Sequence, residues 1–192
     1  MKISKSFILR FIVFLLGLFV MGFGVALTKT AGLGVSPVSS IPNIMSIKFT
    51  VLTIGNWLII WNCTLLLGQL LILRKDFKIW QLLQIPLSFV FGYFTDFGMW
   101  ICSAMPKGVY GVQVLCVILG TAVLALGVTM VVKANLIMNS GEAFVNAVSA
   151  KSPLEFSTLK IIFDLTFVAG SIILSLFFFK GKILGTREGT VF

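Results

Sequence analysis

The chain has 192 residues, 58% of them hydrophobic and 11% charged, with a mean hydropathy of +1.10, a formal net charge of +9 and no histidine. A soluble domain typically carries about 25% charged residues, so a water-facing globular protein is excluded, and the lack of histidine removes the commonest metal ligand and proton shuttle. The positive excess lies at the ends of apolar stretches, where lysine and arginine meet anionic headgroups; no basic stripe with interleaved aromatics points to nucleic acid.

Five apolar stretches of membrane-crossing length are expected near 7–28, 51–73, 79–104, 109–132 and 157–179. The first follows Lys2, Lys5 and Arg10, and its uninterrupted run from Phe11 to Leu27 exceeds a signal-peptide core, so it is expected to be retained. A polar connector follows, "KTAGLGVSPVSSIPNIMSIK" (29–48), in which Gly32 and Gly34 loosen the chain, Ser36 can cap a helix and Pro37 suits its first position. The second span carries Asn56, Asn62 and Gln69, and the third places Asp96 within "FGYFTDFG". After the fourth span comes "KANLIMNSGEAFVNAVSAK" (133–151), where Asn139 or Ser140 can cap and Glu142 falls in the first turn, complementing the helix dipole. The fifth span holds Lys160 and Asp164, four apart and therefore on one helix face. Cys63, Cys102 and Cys116 have no paired spacing and read as small buried hydrophobes.

The chain resembles itself. Shifted by 103 positions, residues 17–48 align without gaps and share nine identities, among them Gly17, Gly24, Asn43 and Lys48 with Gly120, Gly127, Asn146 and Lys151. Glycines seven apart stay on one face, so Gly17, Gly24, Gly120 and Gly127 are expected to let the first and fourth spans pack closely. The repeating unit is a long helix, a short helix, then two further spans. An odd number of spans per unit makes two units inverted in the membrane. The expected fold is an all-α, polytopic membrane bundle: residues 1–105 form a first repeat with three spans and a short helix near 37–47. Residues 106–192 form a second repeat with two spans and a short helix near 140–151, the third span being absent. With the amino terminus inside, Arg74, Lys75 and Lys78 share its side and Lys107 lies opposite, as the positive-inside rule requires; Lys180, Lys182 and Arg187 run against it.

Each short helix would run about ten residues, some 15 Å at 1.5 Å per residue, too short for a bilayer core of about 30 Å. Two readings follow. They lie at the interface as amphipathic connectors, or they turn back into the protein as re-entrant half-helices, their electropositive ends aimed at a shared site suited to an anion or a carboxylate. In the second reading the substrate-binding residues are Ser36, Asn56, Asn139, Ser140, Gly141, Glu142, Lys160 and Asp164. Asp164, deepest of the charged residues in its span, is the strongest of these, because an ionisable group inside the membrane is costly and faces the bundle interior.

Taken together, "AGLGVSP", "NSGEAFVNAV", "LKIIFD" and the terminal "GTREGT" resemble the YczE/YyaS/YitT family of bacterial membrane proteins over most of the chain. The resemblance implies a multi-span protein of the bacterial cell membrane, with a further helix after "REGT". It draws attention to Gly34, Ser36, Pro37, Gly141, Glu142, Lys160, Asp164, Arg187, Glu188 and Gly189. It supplies no substrate. The expected function is a secondary transporter or exporter of a small anionic or zwitterionic solute; the alternative is a non-transporting scaffold or regulatory partner. No nucleophile–base pair, metal cluster or nucleotide loop stands in the sequence, so neither an enzyme nor a cofactor is expected. The expected partners are the lipid bilayer and a small solute, with self-association open.

Overall fold

The computed structural model describes residues 5–104 and 110–181. Among them all regular structure is helical: α1 (Lys5–Ala31), α2 (Pro37–Lys48), α3 (Ile54–Leu73), α4 (Gln84–Cys102), α5 (Tyr110–Ala134), α6 (Ser140–Ser149) and α7 (Phe156–Phe178), with short 3-10 turns at Arg74–Asp76 and Ile79–Leu83. Five of these, α1, α3, α4, α5 and α7, are long and apolar enough to cross a membrane, and they fall where the sequence places them. Helix is the form that satisfies every backbone group internally when no water is present. The outward surface agrees: Leu16, Leu71, Leu126, Leu165 and Phe177 are exposed, the last to 80%. In water such a surface would be an aggregation patch; against lipid tails it is neutral. Exposed Trp80, Trp100 and Tyr110 stand at helix ends, where aromatic belts form.

Helix α1 is the axis. Phe14, Leu18, Met21 and Val25 recur every three to four residues and are buried together. One side meets α5. A β-carbon built on Gly24 would stand 2.7 Å from the Leu124 backbone nitrogen, and one on Gly127 would stand 2.6 Å from that of Met21. Gly17 faces Val131 and Gly120 faces Thr28 equally tightly. Only glycine admits backbones this close. The partners descend on α5 as they ascend on α1, so the two helices are antiparallel. Arg10 fastens one end, donating from Nε to the carbonyl of Ala134 and from Nη2 to that of Asn135, both at 2.8 Å. On its other side α1 runs parallel to α4, with Gly22 against Thr95 and Gly98 against Ala26.

Helix α3 pairs antiparallel with α4 through Gly55 and Gly92. Asp96 clips this pair at one end: it accepts from the Thr53 hydroxyl at 2.6 Å and from the Gly55 N–H at 2.9 Å. The carboxylate thus caps the start of α3 and satisfies one amide that the helix cannot, that of Gly55. α7 runs the same way as α1, so the bundle has a near end, where α1, α4 and α7 begin, and a far end, where they finish.

The two short helices occupy the interior between these pillars. α2 lies along α7 and also touches α3; α6 lies along α3 and also touches α7. Each follows a sharp reversal of the chain. Gly32 (φ 72°) ends α1 and Asn135 (φ 47°) ends α5, both left-handed, which glycine and asparagine tolerate best. From its buried start α2 runs to the far end, where Lys48 stands 5.8 Å from the Phe178 ring and Ser46 accepts from Lys29 Nζ at 2.6 Å. α6 runs the opposite way and finishes at the near end, where Lys151 pairs with Asp76. The terminal residues Arg187, Glu188 and Gly189, and with them the expectation about the absent span, lie outside the described residues.

Candidate functional site

The amino-terminal ends of α2 and α6 touch. A β-carbon at Gly141, the second residue of α6, would lie 3.3 Å from Cγ1 of Val38, the second residue of α2. A side chain at position 141 would press on Val38, which would have to give by a few tenths of an ångström. The residues the sequence nominates stand at both N-cap positions, and Asn139 bonds a backbone amide of its helix while Ser36 does not. Ser36 is the N-cap of α2, followed by Pro37, and its hydroxyl donates to that of Ser39 at 3.0 Å. Asn139 is the N-cap of α6; its Oδ1 accepts from the Ser140 N–H at 2.9 Å. The Ser40 hydroxyl reaches the carbonyls of Pro37 (2.6 Å) and of Phe167 (3.2 Å), midway along α7, which fixes the depth of the start of α2. The first amides of each helix have no intrahelical acceptor and carry the positive end of the dipole.

On one side of the α6 start lies a wholly buried amide network. Gln69 of α3 and Gln84 of α4 donate to each other at 3.1 Å, and Gln69 Nε2 also donates to the Ser140 carbonyl at 3.2 Å. Beside it is a cavity of about 20 Å³ whose polar lining is Asn62, Gln84, Ser88, Asn139 and Ser140. Ser88 donates to the Gln84 carbonyl at 2.6 Å. Asn62, only 5% exposed, has no hydrogen-bond partner among the described residues.

On the other face of α6 is a group of charges. Lys160 donates from Nζ to Asp164 Oδ1 at 2.6 Å, and both side chains are a little over a quarter exposed. Glu142 faces this pair. Burial pushes its carboxyl above the ordinary value, the Lys160 charge pulls it down, and Asp164 pushes it up again. Phe144 and Phe163, with ring centroids 5.4 Å apart, close the same helix contact.

Two wider cavities approach the interior from the two ends. The near-end cavity is about 400 Å³ and is bounded by Asp76, Lys78, Gln81, Gln84, Met138 and Asn146. Gln84 and Met138 also line the small inner cavity, so these two side chains are the wall between them. The far-end cavity is about 360 Å³ and contains Lys29, Ser46, Thr53 and Asp96.

Of the residues singled out in the sequence, Asn139, Ser140, Gly141, Glu142, Lys160 and Asp164 cluster around the start of α6. Ser36 stands at the N-cap position of the adjoining start of α2. Asn56 stands apart, in the first turn of α3 near the far end, its N–H held by Thr53 Oγ1 at 3.1 Å. Gln84 and Ser88 carry no motif and give no sign in the sequence. Asn62 and Gln69 are visible as polar residues in a span, but nothing in their spacing pairs Gln69 with Gln84 across a helix turn and two 3-10 segments.

Residues 8–192 match a protein family of unknown function (DUF6198), and the chain belongs to that family. The match does not name the YczE/YyaS/YitT group. No curated protein matches the chain, and no solved structure does.

Proposed function

We propose that this DUF6198 member is a secondary transporter or exporter of a small anionic or zwitterionic solute. The proposal includes two inverted halves, residues 1–105 and 106–192, with α2 and α6 as re-entrant half-helices from opposite leaflets. Kinship with the YczE/YyaS/YitT proteins of the bacterial cell membrane belongs to the same reading. The observation that carries it is the contact between Val38 and Gly141, with α2 and α6 leaving it toward opposite ends. Two positive helix ends meeting inside a multi-pass bundle suit a negatively charged group at the midplane.

Four correspondences support the inverted plan. Shifting by 103 positions carries Gly32 to Asn135, the two left-handed reversals, and Ser36 to Asn139, the two caps. It carries the Gly17–Val131 contact onto Gly120–Thr28 when one partner is moved forward and the other back, and likewise Gly24–Leu124 onto Gly127–Met21. The packing of α2 on α7 becomes that of α6 on α3. The cavities at either end then serve as vestibules on alternate sides, and Glu142 beside Lys160–Asp164 is a carboxyl able to exchange a proton as the site empties and fills.

The test is uptake of a panel of small acids, amino acids and phosphorylated compounds into proteoliposomes containing the purified chain, its Glu142→Gln variant and its Asp164→Asn variant. The parent transports at least one solute that neither variant moves at a comparable rate. Equal transport by all three would remove the proposed site. A second reading, a non-transporting membrane partner, is favoured by the thin cover on α5 and α7, the least buried of the five long helices. It requires a stoichiometric protein partner on purification and no transported solute.

A further inference from the structure

We propose that the small cavity at the start of α6 binds a dehydrated monovalent anion of halide size. This is an equilibrium site and does not depend on transport.

Size sets the class. The cavity measures about 20 Å³, while one water needs roughly 10–15 Å³. It holds a water or two, or one halide; a carboxylic acid, sulfate or phosphate does not fit. The sign follows from which hydrogen-bonding groups are already used. Gln84 gives and receives its amide bonds within the pair with Gln69. The Oδ1 of Asn139 is taken by the Ser140 N–H, which leaves its NH2 as the group to offer. The Ser88 proton goes to a carbonyl. The Ser140 hydroxyl is buried with no partner among the described residues, and the same is true of the whole Asn62 amide. The unused donors are two amide NH2 groups and a hydroxyl, enough to surround one anion when Asn62 turns its Oδ1 away from the cavity.

A buried donor without an acceptor is costly, and a small anion accepting from the NH2 of Asn62, the NH2 of Asn139 and the Ser140 hydroxyl removes the donors' share of that cost. The field agrees. The lining contains no carboxylate, and the start of a ten-residue helix opens there. Arg10, one turn before the lining residue Phe14, lies on the same flank of the bundle. Glu142 is two residues beyond Ser140, about 200° around the helix, and faces α7 instead. Access from the near end requires only that Gln84 and Met138, common to both cavities, move aside.

The experiment is equilibrium dialysis of radiolabelled chloride against purified full-length protein in detergent, exchanged beforehand into sodium gluconate. Saturable binding of one chloride per chain is expected, displaced by bromide and not by sulfate. Asn62→Asp, which puts a negative charge where the amide was, and Ser140→Ala each weaken it at least about tenfold, the effect of losing one hydrogen bond to a charged group. Thr129→Ala, on an exposed face of α5, leaves it unchanged. Should Asn62→Asp fail to fold, Ser140→Ala decides. Absence of saturable chloride binding by the folded parent, or undiminished binding by Ser140→Ala, overturns the proposal and makes this a site for water alone.

Discussion

Gln69 and Gln84 form a closed pair of amide hydrogen bonds, each side chain donating to and accepting from the other at 3.1 Å, with the third link from Gln69 to the Ser140 carbonyl. Three helices, α3, α4 and α6, are tied at this one point. Replacing Gln69 by leucine leaves the buried Gln84 amide without its partner and takes the second hydrogen bond from the Ser140 carbonyl, which keeps its own helical one, at a cost of about 1–3 kcal/mol. The double variant Gln69→Leu with Gln84→Leu, in which neither amide is left unpaired, loses less than the sum of the two single changes. Thermal unfolding in detergent of the four proteins of that cycle gives the coupling.

The glycine contact between α1 and α5 makes opposite predictions for two glycines. Gly24→Ala places a methyl group against the Leu124 backbone, which cannot yield as a side chain can, and costs about 1–3 kcal/mol. Gly111, in the first turn of α5, has nothing within 4 Å of its β-carbon position. Gly111→Ala is neutral or stabilising by up to about 1 kcal/mol, through helix propensity alone. Melting temperatures of the two variants distinguish a packed contact from a general effect of glycine.

Glu142 gives a pH dependence of fixed sign. Its carboxyl holds a proton more tightly in the folded protein than in the unfolded chain. The folded state therefore binds more protons over the window that opens at the ordinary carboxylate value of 4.5 and extends upward to the raised one. Stability falls as pH rises through that window. Glu142→Gln removes this part of the slope while keeping the side chain's shape. Unfolding of parent and variant across mildly acidic pH reads the difference; parallel curves would mean that Glu142 ionises as freely folded as unfolded.

The placement of charge predicts an orientation. Among the described residues, Arg10, Arg74, Lys75, Lys78, Lys133 and Lys151 lie toward the near end, against Lys29, Lys48 and Lys180 toward the far end. By the positive-inside rule the near end is expected to be cytoplasmic. In a chain whose three cysteines are replaced by alanine, Val51→Cys, at a position 94% exposed between α2 and α3, reacts with an impermeant maleimide on intact cells. Lys75→Cys reacts only after permeabilisation. The reverse pattern would invert the protein.

The spans were legible because hydrocarbon imposes one rule on twenty consecutive residues, and no local detail competes with it. Ser36, Pro37 and Asn139 were legible because capping is a local matter, decided within four residues. Gly17, Gly24, Gly120 and Gly127 showed their role through spacing on a single helix. Asp96 did not. In sequence it is an acid inside a span, and only the folded pair reveals it as a cap on α3, forty-odd residues away. Asn62 was visible as a polar residue in a span, but its purpose was not, and Gln84 gave no sign: a single amide in an apolar stretch says that a partner or a ligand is needed, without saying which helix brings it.

α2 rests on α7, and α6 on α3, so each short helix beds against a pillar from the far part of the chain. During synthesis the segment after Gly34 can lean on α3 but lacks its main support until α7 has been made, more than a hundred residues later. The first half must wait, incomplete, in the bilayer or the insertion machinery for the second. Severed between α4 and α5, the two fragments can reach their final form only by docking on one another.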